Sequence, residues 1–170
     1  GFARNPGGPN DPGTVPGGVP TPNICPPASS TIAPVPSNPS SGWVSGGRLS
    51  YPMLGEPWSA PSYDNRVPFG ALAMMQEVVD QPNFDGKGNN WVASILVSDL
   101  YVGDGFASTK VGAETVLKCV LGTYYADTVV KRSDISSEAH PVGGNDGWLI
   151  ETQLSFEIPN LVAKGERVLL

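Results

Sequence analysis

From Leu49 onward, apolar and polar positions alternate in short runs separated by glycine, proline and asparagine clusters. Leu49, Tyr51 and Met53 share one parity, which predicts a strand. Pro52, Pro57 and Pro61 then bracket Trp58 in a stretch too proline-rich for a helix. Residues 69–79 are ambiguous. Their apolar run suits a helix, whereas Gly70, Val78 and Val79 favour a strand, and the segment is taken as mostly strand from Ala73 onward. Asn83 to Asn90 is turn chemistry, because Gly and Asn tolerate positive φ. Residues 91–100 form the clearest strand, apolar on nearly both faces as far as Ser98, and are expected in the middle of a sheet. Gly103-Asp104-Gly105 closes it.

After Ser108 the period changes. Ala113, Val116, Leu117, Val120 and Tyr124 recur at three- and four-residue spacing, which is one face of a helix. Ser108 or Thr109 can accept the first free N–H groups, and Gly122 is placed to stop the helix. Three further strands are expected over 129–139, 148–158 and 161–170. In the second, Trp148, Ile150, Thr152, Leu154, Phe156 and Ile158 fall on one side, as in a half-buried antiparallel strand. Gly143-Gly144-Asn145-Asp146-Gly147 turns the chain into it and Pro159-Asn160 turns it out. The expected fold class is α+β: an antiparallel sheet of about five to six strands with one main helix packed on a face.

Composition divides the chain in two. Residues 1–42 hold 11 of the 18 prolines and 7 of the 21 glycines, and only Arg4 and Asp11 are charged. Such a stretch cannot bury enough apolar area to offset the entropy of ordering itself, so it is expected to be a disordered or extended tether. Residues 43–170 are the domain, large enough to bury roughly two-thirds of its unfolded surface. The net charge of −6 lies wholly in the domain. An acidic body disfavours nucleic acid and anionic lipid, both of which call for clustered Lys and Arg. The adjacent pair Lys131-Arg132 is flanked by Asp127 and Asp134, which reads as a solvated strand face.

The two cysteines, Cys25 and Cys119, leave two readings open. They are unrelated thiols of a reducing compartment, or a disulfide that staples the tether to the domain in an oxidising one. The bond is favoured, since an unstructured tether has little use for a cysteine. The sequence has no apolar run near the ~20 residues that span a bilayer. Its start on a Pro/Gly tether without methionine suggests a processed segment, preceded in the parent chain by an anchor or signal. Its end on Val168-Leu169-Leu170 leaves either a buried edge strand or a continuing parent.

The catalytic vocabulary is thin. His140 is the only histidine and precedes Pro141. Gly42-Trp43-Val44-Ser45-Gly46 lacks the first glycine of a nucleophile elbow. One histidine and two distant cysteines do not make a zinc site, and Lys87 spoils Asp85-Gly86-Lys87-Gly88-Asn89 as a calcium loop. Glu151 and Glu157 stand six residues apart on one strand, too far for a carboxylate dyad. No cofactor or metal is expected. Trp43, Trp58 and Tyr63 are different: aromatics in proline-rich loops form recognition surfaces or cover the end of a sheet.

A group of segments carries a resemblance: Gly46-Gly47-Arg48-Leu49-Ser50-Tyr51-Pro52, Trp58-Ser59, Arg66-Val67-Pro68-Phe69-Gly70, Trp91-Val92-Ala93-Ser94-Ile95-Leu96-Val97 and Leu154-Ser155-Phe156-Glu157-Ile158-Pro159. Nearly the whole domain resembles actinobacterial membrane-anchored envelope proteins of unknown function, which have a proline-rich cytoplasmic tail, one membrane helix, a short tether and an extracytoplasmic domain. The element order is also similar to the PsbP-like α+β fold, whose members are mostly binding or assembly factors and end in a further strand and helix. The resemblance implies an extracytoplasmic location at the outer face of the membrane, and further C-terminal sequence in the parent. Three functions follow as expectations. The first is a non-enzymatic interaction domain docking a protein or cell-wall partner through Trp43, Trp58 and Tyr63. The second is a hydrolase or transferase of wall glycan or peptide, and the third a structural spacer.

Overall fold

The computed structural model describes residues 2–3, 25, 42–64, 66–67, 69–101, 104–125 and 128–170. The remaining tether positions lie outside the described residues, as do Gly103 of the expected 103–105 turn and Asp127 beside the basic pair. The strands are β1 (Phe2–Ala3), β2 (Trp43–Gly46), β3 (Leu49–Pro52), β4 (Ser62–Tyr63), β5 (Ala71–Gln81), β6 (Trp91–Asp99), β7 (Lys131–Ala139), β8 (Trp148–Ser155) and β9 (Gly165–Leu169), with α1 (Thr109–Tyr124) between β6 and β7.

The expected α+β fold, a single sheet of five to six strands with a main helix on one face, is not what forms: the described residues are mostly β, with one helix. The described strands make three small antiparallel sheets, ordered β1-β6-β5-β4, β2-β3 and β7-β8-β9. The physical reason lies in α1. Its apolar surface is wider than the one stripe that the spacing suggests. Ala113, Leu117 and Leu121 join the cluster built on β8 and β9, while Val116 and Cys119 join the cluster under β5. One helix thus contributes to both clusters while packing mainly on β8, so β7–β9 bury their inner face on α1 and on Trp91 of β6 and not by extending the β5–β6 sheet. The hairpin β2–β3 adds an outer layer, with β2 packed on β5 and β6, and β3 on β6.

Several elements follow the sequence pattern closely. Ser108 is the N-cap, its side chain accepting a hydrogen bond from the Val111 N–H at 3.2 Å. Gly122, however, does not stop the helix. The chain stays helical to Tyr124, and the Tyr125 N–H closes the last turn on the Leu121 carbonyl at 3.1 Å. Both tyrosines belong in the core, so packing overrides the break. The ambiguous segment is strand throughout β5. In β8 the even-numbered side of the strand faces inward, with Ile150, Thr152 and Leu154 buried. The last expected strand is shorter than its apolar pattern, since only Gly165–Leu169 pairs with β8.

Two buried clusters carry the fold. The larger centres on Trp91, which meets Phe84 edge-on at 6.0 Å and lies 5.3 Å from Phe156 and 6.3 Å from Tyr125 between ring centres. The second holds Val67, Phe69, Ala73, Phe106 and Cys119, with Cys25 packed against it. Cys25 and Cys119 form a disulfide, their Cα atoms 5.5 Å apart and 94 residues apart in sequence. The tether is therefore fastened to the domain at Cys25, and again where β1 pairs with Trp91 and Val92 of β6. Among the described residues, no helix is long and apolar enough to cross a membrane.

Candidate functional site

The stretch from Trp43 to Tyr63 lies along one face and one edge of the β5–β6 sheet, and the way it is fastened defines the site. In the β2–β3 hairpin Val44 stands opposite Tyr51, and Trp43 opposite Pro52. Directly opposed residues share a face. Val44 and Tyr51 are buried, so Trp43 and Pro52 point outward, Trp43 with 45% of its surface exposed. Burial, opposed by the nearby Gln76 backbone, pushes the Tyr51 hydroxyl up to about 12.

The hairpin turn needs its two glycines. A Cβ on Gly46 would stand 2.1 Å from the Val97 carbonyl oxygen, and one on Gly47, at φ +64°, would strike the Asp99 carboxylate. That carboxylate accepts the Arg48 N–H at 3.1 Å and faces the guanidinium at 3.6 Å, holding the turn on the end of β6.

The proline-rich loop after the hairpin is held from below by Gln76, a residue only 1% exposed in the middle of β5. Its side-chain oxygen accepts the Leu54 N–H at 2.8 Å, and its amide nitrogen donates to the carbonyls of Leu54 at 2.9 Å and Ser59 at 2.7 Å. Ser59 adds two bonds to Glu77, its N–H to the carbonyl and its hydroxyl accepting the Glu77 N–H. Trp58 closes a tight turn, its N–H on the Gly55 carbonyl at 3.0 Å, and is half-buried. Replacing Gln76 by leucine is expected to cost about 1–3 kcal/mol, because three main-chain groups lose their partner. Faster amide exchange at Leu54 and Ser59 checks it.

Tyr63 pairs with Met74 on the edge of the sheet and is 61% exposed. Its neighbour Asp64 is almost wholly buried and takes a two-pronged contact from Arg66, Nε to Oδ1 at 2.9 Å and Nη2 to Oδ2 at 2.8 Å. The Tyr124 hydroxyl donates to the same carboxylate at 3.0 Å, and the guanidinium lies 4.7 Å over the Tyr124 ring. Burial alone would raise the Asp64 carboxyl, but the Arg66 hydrogen bonds and charge, with Tyr124, hold it below its ordinary value. The edge strand carrying Tyr63 is thereby locked to the C-terminal end of α1.

The three aromatics singled out in the sequence thus fall on three separate elements of one fastened stretch: Trp43 on β2, Trp58 in the turn, and Tyr63 on β4. The other candidates are dispersed. His140 is exposed in the β7–β8 connection, its N–H on the Gly147 carbonyl. Glu151 pairs with Arg167 at 2.7 Å and Glu157 with Lys164 at 3.0 Å, so each faces a basic residue rather than a second acid. Asp85 organises its own turn, accepting the N–H groups of Lys87 and Asn89. Among the described residues, no group of three or more His, Cys, Asp or Glu side chains could hold a metal ion. Gln76 and the Asp64–Arg66–Tyr124 group were missed in the sequence. The available signals were a lone amide inside an apolar run, and an acid two residues before an arginine. No known protein family, curated protein or solved structure matches the chain.

Proposed function

We propose that the domain is a non-catalytic, extracytoplasmic interaction module of the cell envelope that docks a protein through Trp43, Trp58 and Tyr63. The observation that carries this reading is the fastening of an exposed aromatic stretch by buried polar groups. Gln76 commits a buried side chain to holding the main chain of Leu54 and Ser59 on either side of the Trp58 turn, and the buried Asp64 next to Tyr63 is fixed by Arg66 and Tyr124. The same hairpin also exposes Leu49 at 53% and Met53 at 49%, which share the strand parity of Tyr51 and so lie across the hairpin from Trp43. Aromatic and methionine side chains on a rigid backbone are the usual anchors of protein contacts. Leu49 and Met53 offer neither a flat ring nor a hydrogen bond, so the exposed apolar side chains of this hairpin suit a protein surface better than a glycan strand. The Cys25–Cys119 bond supports an oxidising compartment, and the sequence resemblance supports tethering at the outer face of the membrane.

The test is crosslinking in intact envelopes with the tethered domain as bait, followed by binding measurements with the captured protein. Replacing Trp58 and Tyr63 together by alanine is expected to weaken binding by roughly 30-fold or more. The same variant should lose less than about 1 kcal/mol of stability, because neither ring belongs to a buried cluster. Undiminished binding would remove the site from this face. Capture of nothing by either form, with retention on wall fragments, would move the partner from protein to cell-wall polymer.

A further inference from the structure

The Cys25–Cys119 bond has two unlike ends. Cys119 is fully buried on α1, at 0% exposure, among Val67, Phe69, Ala73 and Phe106. Cys25 is only half-buried and belongs to the Pro/Gly-rich stretch. Disulfide exchange proceeds by attack of a thiolate on one sulfur, and the rate follows the accessibility of that sulfur. We infer that the bond is made and opened through Cys25, which is the docking sulfur for a dithiol–disulfide exchange protein of the oxidising compartment.

In the forming direction, the Cys25 thiolate attacks one sulfur of the partner's disulfide. That bond breaks and the partner's second sulfur leaves as a thiolate. Cys119 then gives up its proton to solvent and attacks Cys25 Sγ, expelling the partner's first sulfur. The chain's two thiols are oxidised to one disulfide, and the partner's disulfide is reduced to a dithiol, with two electrons and two protons transferred. In the opening direction, a partner thiolate attacks Cys25 Sγ and Cys119 leaves as a thiolate. It leaves into an apolar cluster, where an anion is poorly solvated, so the folded bond resists reduction. In both directions the mixed disulfide sits on Cys25.

The test uses the folded, oxidised chain without substitution. Reduced glutathione gives a mixed disulfide that the freed cysteine can displace again, so the adduct is caught by acid at short times, then located by digestion and mass spectrometry. Adducts on Cys25 are expected to exceed those on Cys119 by roughly ten-fold or more. In urea, where Cys119 is unburied, the two sites are expected to react alike. Comparable adducts on Cys119 in the folded chain would overturn the inference. So would an unchanged preference in urea, because the asymmetry would then belong to the local sequence and not to the fold. A two-cysteine exchange protein with its resolving cysteine replaced by serine, supplied as an activated mixed disulfide to the reduced folded chain and quenched with acid at short times, is expected to be caught on Cys25 before Cys119 displaces it. Trapping on Cys119 would count against the inference in the same way.

Discussion

Cys25→Ser unfolds at lower urea concentration than the parent chain, with a loss of roughly 4–5 kcal/mol on the chain-entropy account of a loop this long. The bond closes 94 residues of sequence, from the tether to the middle of α1. Opening it returns that freedom to the unfolded chain. Typical domains have only about 5–15 kcal/mol to lose, so the expected change is a large share of the total. Serine is the better probe at Cys25, because the half-buried end tolerates a hydroxyl and leaves Cys119 in place as a small apolar side chain. Urea unfolding followed by the fluorescence of buried Trp91 gives the number. A loss under about 1 kcal/mol would mean that the tether docks as well without the bond, and that the unfolded chain is already compact.

Asp64→Ala is the second large change, with an expected cost of about 3–5 kcal/mol. The substitution strands the Arg66 guanidinium beneath the sheet edge and removes the acceptor of the Tyr124 hydroxyl. Replacing Asp64 and Arg66 together by Leu and Met should recover most of the loss, since no charge is then left buried alone. If the double variant is as unstable as the single one, packing and not charge is what Asp64 supplies. The pair also sets an acid limit. Asp64 is held below its ordinary value in the fold, so its contribution is complete above the unfolded value and disappears as the pH falls through the folded one. Glu166 has the opposite sign. Burial raises it, so protonation in mildly acid solution relieves a buried anion and adds stability. Stability is therefore expected to rise slightly from neutral to mildly acid pH and then to fall once Asp64 takes up its proton.

The sequence was most legible where local chemistry decides structure. Ser108 caps α1, the 143–147 glycines turn into β8, and the inward side of β8 is the one its alternation marks. The disulfide was favoured on composition, and it is present. Sheet membership was not legible. Alternation in β5 and β8 says which residues are buried, but nothing in either strand says that they belong to different sheets. On the helix, Val116 and Cys119 join a different cluster from Ala113 and Leu117, a division that the single stripe of Ala113, Val116, Leu117, Val120 and Tyr124 does not reveal. Gly122 misled for a related reason: a glycine can end a helix, but Tyr124 and Tyr125 gain more from packing than the last turn loses. For the aromatic stretch, residue type pointed to Trp43, Trp58 and Tyr63, while Gln76, which holds the loop around Trp58, and Asp64, which follows Tyr63, come from positions that carry no motif.

Gln76 grips only main-chain atoms of the loop above it, the Leu54 amide and carbonyl and the Ser59 carbonyl. Both ends of residues 55–58 are therefore held without using the side chains that segment displays. Such a loop is a cassette: the exposed side chain at Glu56 can be exchanged while one buried amide keeps hold of both ends, without any adjustment in the core.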